Sequence, residues 1–325
     1  MKHITILVPK GGILGSIEGP RQVFSGVNMY AASMGKDPVF KIELVGLSRE
    51  TPLVKGIYTI RTDRVISKVK KTDLIIIPAI DGDLKKALHE NHDFIPWIQK
   101  QYKAGAEVAS LCVGAFILAS TGLMAGRRCA THWVAANQFR AMFPDIDLVT
   151  EKVVTDENGI YTSGGAYSYL TLVLYLIEKY PGRGAGIFCA KIFAIDIDRE
   201  SQSPFMMFSG QKEHEDLPIK KAQTYIEANF QDKITVEDLA SMLALSRRNL
   251  ARRFKKATAN TVIEYIQRVK IEAAKMNLEN SRENVSEVMY KVGYTDTKSF
   301  RNTFKRITGL SPVQYRTKYN REVLV

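Results

Sequence analysis

The stretch SRRNLARRFKKAT at residues 246–258 returns fifty positions later as DTKSFRNTFKRIT at 296–308. Ser246 aligns with Asp296, Leu250 with Phe300, Phe254 with Phe304, Lys255-Lys256 with Lys305-Arg306, and Thr258 with Thr308. Upstream, VEDLA at 236–240 returns as VSEVM at 285–289, and Leu243-Ala244-Leu245 returns as Val292-Gly293-Tyr294. Each copy reads as a short helix, a tight turn and a second helix opened by Ser or Asp, whose side chains accept hydrogen bonds from first-turn amides. Within each second helix apolar residues recur four apart, so Leu250 and Phe254, or Phe300 and Phe304, face a core. Arg248, Arg252 and Lys255 are left outside in one copy, and Thr297, Lys298, Arg301 and Asn302 in the other. Arg can grip guanine, and Asn adenine, through paired hydrogen bonds, while Lys and Thr reach phosphates. The bland alternative is a solvated helix face, which repetition inside a basic block disfavours.

The charge distribution supports that contrast between halves. Residues 218–325 carry 21 Lys and Arg against 11 Asp and Glu, whereas residues 1–217 carry 25 against 23, so nearly all of the net +12 lies in the last third. A concentrated basic block points to a polyanion, nucleic acid or a membrane surface. At 325 residues the chain is long enough for two cores. Hydrophobic residues at 45% and charged residues at 25% exclude disorder and a disulfide miniprotein. Cys112, Cys129 and Cys189 are odd in number and widely spaced, which suits a reducing cytoplasm. The run at 4–9 is too short for a signal-peptide core. Val108 to Gly126 carries no charge, but its Ser, Thr and Gly content reads as a buried strand turning into a buried helix rather than a membrane span.

The first 195 residues alternate short apolar runs with helical patterns, the signature of an α/β domain with a parallel, flavodoxin-like sheet covered by helices on both faces. Strands are expected at 4–8, 41–46, 74–78 and 107–111, and helices at 20–34, 94–103 and 171–180, the last stopped by Pro181-Gly182. From 196 to 217 the pattern gives way to polar residues around an isolated Phe205-Met206-Met207-Phe208 cluster, a linker with that cluster docked on one of the domains. Residues 218–325 show no strand pattern and form an all-α domain with two helix-turn-helix units. Within the first domain, Ser110-Leu111-Cys112-Val113-Gly114-Ala115 has a strand running into Cys112 and a helix leaving it, with small residues on both sides, like a nucleophile elbow. The helix N-terminus is expected to favour the Cys112 thiolate. Glu18, placed in the loop after the first strand, and His132 are candidates to complete a site; each has a structural alternative, helix capping for Glu18 and core packing for His132. His89 and His92 lack partnering ligands at a recognisable spacing, so neither a metal nor another cofactor is expected.

Residues 219–319, with the closing run FKRITGLSP at 304–312 and Tyr315-Arg316, resemble the tandem helix-turn-helix domain of AraC/XylS-type transcriptional regulators. The resemblance implies that two recognition helices enter successive major-groove faces, one turn or ~34 Å apart. By position it implies base contacts for Arg248, Ala251, Arg252, Thr297, Lys298, Arg301 and Asn302, and phosphate contacts for Ser246, Arg247, Lys255 and Lys305. Ala251 departs from the pattern, because it offers only a methyl group. The N-terminal segment is similar to the ThiJ/PfpI group of the class I glutamine amidotransferase-like superfamily through Glu18-Gly19, the Cys112 elbow, residues 121–128, Thr131-His132-Trp133 and residues 161–165. That resemblance implies Cys112 as nucleophile or ligand contact, Glu18 as its hydrogen-bonding partner and His132 as a base. Val113 stands where the protease-like branch has a histidine, and Ala79-Ile80-Asp81-Gly82 where glycines often supply oxyanion amides.

These readings converge on a cytoplasmic, sequence-specific DNA-binding regulator and not an enzyme. Its expected partners are double-stranded promoter DNA, an unknown small-molecule effector held in the first domain, a second copy of the chain, and the transcription machinery; no membrane is expected. The alternative from another class is a cysteine-dependent hydrolase or amidase carrying a DNA-binding tail. A third reading makes Cys112 a peroxide sensor through sulfenic acid formation.

Overall fold

The computed structural model describes residues 1–197 and 200–320, so Asp198 and Arg199 of the expected linker and residues 321–325 of the expected C-terminal domain lie outside the described residues. The chain divides into two compact units, one ending at Gln202 and the other beginning at Ser203.

The first unit is built on a sheet of seven strands: β1 (Lys2–Val8), β2 (Phe40–Gly46), β3 (Arg64–Val65), β4 (Leu74–Ile77), β5 (Glu107–Ser110), β6 (Val154–Asp156) and β7 (Ile160–Ser163). Their spatial order is β6-β7-β5-β4-β1-β2-β3, and all neighbours run parallel except β6 and β7. The period of two along the strands sorts side chains onto two faces. Ile4, Ile6 and Val8 of β1 and Leu74 and Ile76 of β4 pack with residues of α1 (Leu14–Ser33), α6 (Tyr169–Lys179) and α7 (Arg183–Ile192). Leu7, Ile75 and Ile77 face α2 (Leu84–Glu90), α3 (Phe94–Lys103), α4 (Ala115–Ser120) and α5 (Ala136–Met142). The α/β class and helices on both faces are as the sequence led us to expect. The uncharged stretch at 108–126 is the buried strand β5 followed by the buried α4, and among the described residues no helix is long and apolar enough to cross a membrane.

One boundary differs with a consequence for Glu18. The first helix begins at Leu14, not Pro20, so Glu18 lies inside α1 and not in a loop. Proline usually marks a helix start because it lacks an amide proton. Here Pro20 is tolerated in the second turn, where it is buried against the sheet-facing core.

The second unit is helical: α8 (Leu217–Ala228), α9 (Val236–Met242), α10 (Arg247–Thr258), α11 (Val262–Asn280), α12 (Val285–Lys291), α13 (Thr297–Thr308) and α14 (Pro312–Tyr319). Capping boxes open α9, α11, α12 and α14 through Thr235/Asp238, Thr261/Glu264, Asn284/Glu287 and Ser311/Gln314. The second unit has two cores, one on Leu250, Phe254 and Tyr265, the other on Phe300, Phe304 and Tyr315.

The stretch expected as a linker is largely ordered against one unit or the other. Ser201 and Gln202 belong to the first unit, where Gln202 is 2% exposed. Beyond them, the Pro204 carbonyl accepts from the Tyr319 hydroxyl at 2.9 Å and the Met206 carbonyl from Lys275 Nζ at 2.7 Å. Phe208 packs edge-on against Tyr265, with ring centres 5.1 Å apart, and the Gln211 carbonyl accepts from Gln223 at 2.9 Å. Residues 204–211 thus form a strap across both halves of the helical unit, fastened by backbone carbonyls that its composition does not reveal. Of the Met/Phe cluster, Phe208 and the Met206 backbone dock on the second unit.

Phe304 is fully buried between Phe300 and Tyr315. Phe304→Ala is expected to cost about 3–5 kcal/mol of stability in urea denaturation followed by far-UV circular dichroism. A loss below 1 kcal/mol would contradict the second core as described.

Candidate functional site

Two places carry the sequence-derived candidates. The first is the turn after β5. Cys112 adopts φ +54°, a left-handed conformation that costs an ordinary side chain roughly 1 kcal/mol or more and is retained only when the surroundings impose it. The surroundings do so. Gly114 lies so close to the end of β4 that a Cβ there would sit 2.5 Å from the Pro78 carbonyl oxygen and 2.6 Å from that of Ile77. The Cys112 amide donates to Ser163 Oγ at 3.3 Å, and its carbonyl accepts from Thr131 Oγ1 at 3.0 Å. The strand, the sharp turn and the following helix are therefore those of an elbow.

The chemistry at that elbow differs from the thiolate expectation. Burial pushes the Cys112 thiol up to about 11, and the nearby amides of Val113 and Ala166 offset this only in part. The favourable field of a helix N-terminus loses to desolvation because the sulfur is enclosed. Burial also pushes Cys129 up to about 12 and Cys189 up to about 11, and all three cysteines are free.

Among the described residues no hydrogen bond joins Glu18 to Cys112. Its carboxylate is gripped by Arg21 through two hydrogen bonds of 2.6 Å and by Gln22 at 3.0 Å, and the Arg21 contact holds its carboxyl below the usual range. The cause is the helix itself: with Glu18 inside α1, Arg21 and Gln22 fall three and four residues on, on the same face. His132 is half-buried, and burial lowers its pKa. Its Nδ1 accepts from the Val134 amide at 3.2 Å, its ring tilts against Trp133, and the ring edge lies against Gly165. Thus His132 and Cys112 both border the loop at 163–166, whereas Glu18 is engaged on its own helix.

Sequence reasoning missed the residue that organises this loop. Gln202 donates from Nε2 to the Thr131 carbonyl at 3.1 Å and to the Lys152 carbonyl at 3.2 Å, and accepts from the Gly165 amide at 2.9 Å. One buried amide joins the segment carrying His132 to the segment beside Cys112. The only signal available was Gly164-Gly165, which read simply as a turn.

The second place is the pair of helix-turn-helix units. The turns are made by residues with positive φ, Ala244 at +51° and Gly293 at +74°. The second helices are capped as anticipated, by Ser246 to the Asn249 amide at 3.3 Å and by Asp296 to the Ser299 amide at 2.7 Å. Leu250, Phe254, Phe300 and Phe304 are fully buried, and Arg248, Ala251, Arg252, Thr297, Lys298, Arg301 and Asn302 are exposed. Ser246 and Lys305 are exposed as well. Arg252 is propped by Asn249 at 3.1 Å. Arg247 pairs with Glu237 at 2.8 Å, and Lys255 reaches the Ala259 carbonyl at 2.9 Å and Glu264 at 3.8 Å, so both of these expected phosphate contacts already have acidic neighbours. Beside α10 a cleft of about 520 Å³ is lined by His214, Asp216, Asn249, Arg252, Arg253 and Lys256, with Arg253 fixed to Asp216 at 2.6 and 2.9 Å.

Comparison with known proteins agrees with this division. The profile of a helix-turn-helix domain matches residues 239–318, and that of the DJ-1/PfpI family matches residues 28–179. The HTH-type transcriptional regulator GbdR of Pseudomonas aeruginosa is 25% identical over 231 residues, 68% of this chain and 60% of that protein, so the chain matches about three fifths of that relative's length. The HTH-type transcriptional regulator GlxA of Rhizobium meliloti is 23% identical over 226 residues, 68% of each chain. The crystal structure of an AraC family transcriptional regulator from Pseudomonas putida superposes with a TM-score of 0.51 at 14% identity, covering 59% of this chain and all of that one, a likeness of fold.

Two measurements follow from the elbow. Iodoacetamide capture of Cys112, read by peptide mass spectrometry, is expected to rise about ten-fold per pH unit from pH 7 to 9, because the thiolate fraction grows throughout that range when the pKa lies above it. A plateau below pH 8 would show an activated thiol. Gln202→Leu leaves two carbonyls and an amide unpaired, and is expected to cost about 1–3 kcal/mol in thermal denaturation; an unchanged midpoint would remove Gln202 from its organising role.

Proposed function

We propose that this chain, which joins a DJ-1/PfpI-type domain to an AraC-type helix-turn-helix domain, is a sequence-specific DNA-binding transcriptional regulator. The observation that carries the reading is the pair of capped recognition helices, α10 and α13, whose apolar sides are buried and whose Arg, Lys, Thr and Asn side chains stand in solvent on a basic unit. A solvated surface helix needs no such duplication, whereas two major-groove readers on one chain do. Arg248, Ala251, Arg252, Thr297, Lys298, Arg301 and Asn302 face base edges, and Ser246, Arg247, Lys255 and Lys305 face phosphates. Arg247 and Lys255 would exchange Glu237 and Glu264 for phosphate oxygens on binding. Promoter DNA in the cytoplasm, the transcription machinery and a second copy of the chain are the partners this reading proposes.

The first domain, in the same proposal, holds a small-molecule effector at the Cys112 elbow without turning it over. Three features support a contact surface over a catalyst: a thiol raised by burial, a histidine lowered by burial, and a glutamate already committed to Arg21. A nucleophilic cysteine needs the opposite tuning. The positive φ at Cys112 favours the second reading, a cysteine-dependent hydrolase or amidase, and a Cys112→Ala variant separates the two: it abolishes turnover in an enzyme and leaves DNA binding intact in a regulator.

DNA binding is tested by selecting sites from a randomised duplex library with the full chain, then comparing variants on the selected and scrambled sequences. Arg248→Ala and Arg301→Ala are each expected to lose about 1–3 kcal/mol of discrimination between the two sequences. Equal losses on every sequence would assign these residues to phosphates, and an absence of any enriched site would overturn the regulator reading.

A further inference from the structure

Lys270 sits in the middle of α11, the helix between the two helix-turn-helix units, yet it is 8% exposed. An ammonium is costly to bury unless its protons find acceptors. Lys270 finds two, and they belong to different units: the Gly293 carbonyl at 3.0 Å, in the turn of the second unit, and the Asp232 carbonyl at 3.4 Å, in the loop that leads into α9 of the first. The Tyr294 ring centre lies 5.6 Å from the same nitrogen, within reach of a cation–π contact. Burial lowers the ammonium's pKa, and the nearby Asp232 charge opposes this only in part.

The surroundings of Lys270 are a joint between the units. Phe230, from the loop after α8, packs into the core of the second unit. The next residue, Gln231, brings its carbonyl oxygen to 2.0 Å from where a Cβ on residue 293 would be, so only glycine fits the turn at that point. The corresponding turn of the first helix-turn-helix unit has Ala244, also at positive φ (+51°), and that residue is exposed. The two repeats therefore differ where one is clamped to the other.

We infer that Lys270 is a positioning residue that fixes the phase between α10 and α13, so that the chain reads two half-sites only at one spacing. This inference rests on the DNA-binding reading above. The lysine contacts neither recognition face; it ties together the loop before one helix pair and the turn inside the other. One added base pair shifts a half-site by about 3.4 Å and about a tenth of a turn. A rigid joint cannot follow that shift, and a loosened one can.

The test uses the full chain carrying spin labels at Lys256→Cys on α10 and Lys305→Cys on α13, with the three native cysteines buried. A single narrow distance is expected in this parent, a broad distribution in Lys270→Met, and a narrow one again in Lys270→Arg. Phe230→Leu, which thins the same joint without touching Lys270, is expected to broaden the distribution too and serves if Lys270→Met does not fold. On selected DNA, unlabelled wild-type protein is expected to lose roughly ten-fold or more in affinity when the spacing changes by one base pair. Lys270→Met is expected to bind the original spacing more weakly but to lose no more than roughly three-fold on the shift. A narrow distribution retained in both joint variants, or an unchanged spacing penalty, overturns the inference. If wild-type protein selects no two-part site, the regulator reading fails, while the distance measurement still judges the joint.

Discussion

Two-sided burial of the central strands is the constraint from which the first unit follows. All four residues of β4 are fully enclosed, so the strand cannot lie at a surface and must have helices above and below. Parallel neighbours then need crossover helices, and the crossovers send the C-terminal ends of the central strands to one edge of the sheet. Cys112 after β5 and the loop at 163–166 after β7 meet there because of the topology. What chemistry they can perform is set by how tightly that edge is packed, and Gly114 under Pro78, together with Gln202 across the loops, packs it tightly enough to enclose the sulfur.

The helical unit obeys a different constraint. Its two small cores are each too slight to orient anything alone, and α11 supplies side chains to both: Tyr265 and Ile266 to the first, Ile271, Ala274 and Leu278 to the second. The strap at 204–211 runs over the same helix, so one long element carries the strap, the two cores and the joint at Lys270. The repeat provides two similar helix pairs, and the shared helix holds them together.

Much of this was legible in the sequence where a repeating physical pattern exists. The fifty-residue repeat, the four-residue spacing of Leu250 and Phe254, the capping Ser246 and Asp296, and the run of isoleucines in β4 each announce an element and its buried side. The elbow at Cys112 was legible because small residues flank a strand-to-helix turn. What was not legible depended on contacts between distant residues. Pro20 looked like a helix start because nothing local reveals a helix already begun at Leu14, and Glu18 was misplaced with it. The rise in the thiol's pKa comes from burial, which depends on residues far along the chain, such as Ser163, 51 positions away. Gln202 stands among polar residues and Lys270 between Val269 and Ile271 in a helical pattern, and only the fold shows each reaching carbonyls from separate segments.

Gln202 is buried among the loops of the first unit, while the second unit starts at Ser203 and is strapped down from Pro204 onward. For dissection by truncation, the choice of end residue decides whether the first unit keeps its own clamp: an N-terminal fragment must run through Gln202 to retain the amide that pairs Thr131, Lys152 and Gly165.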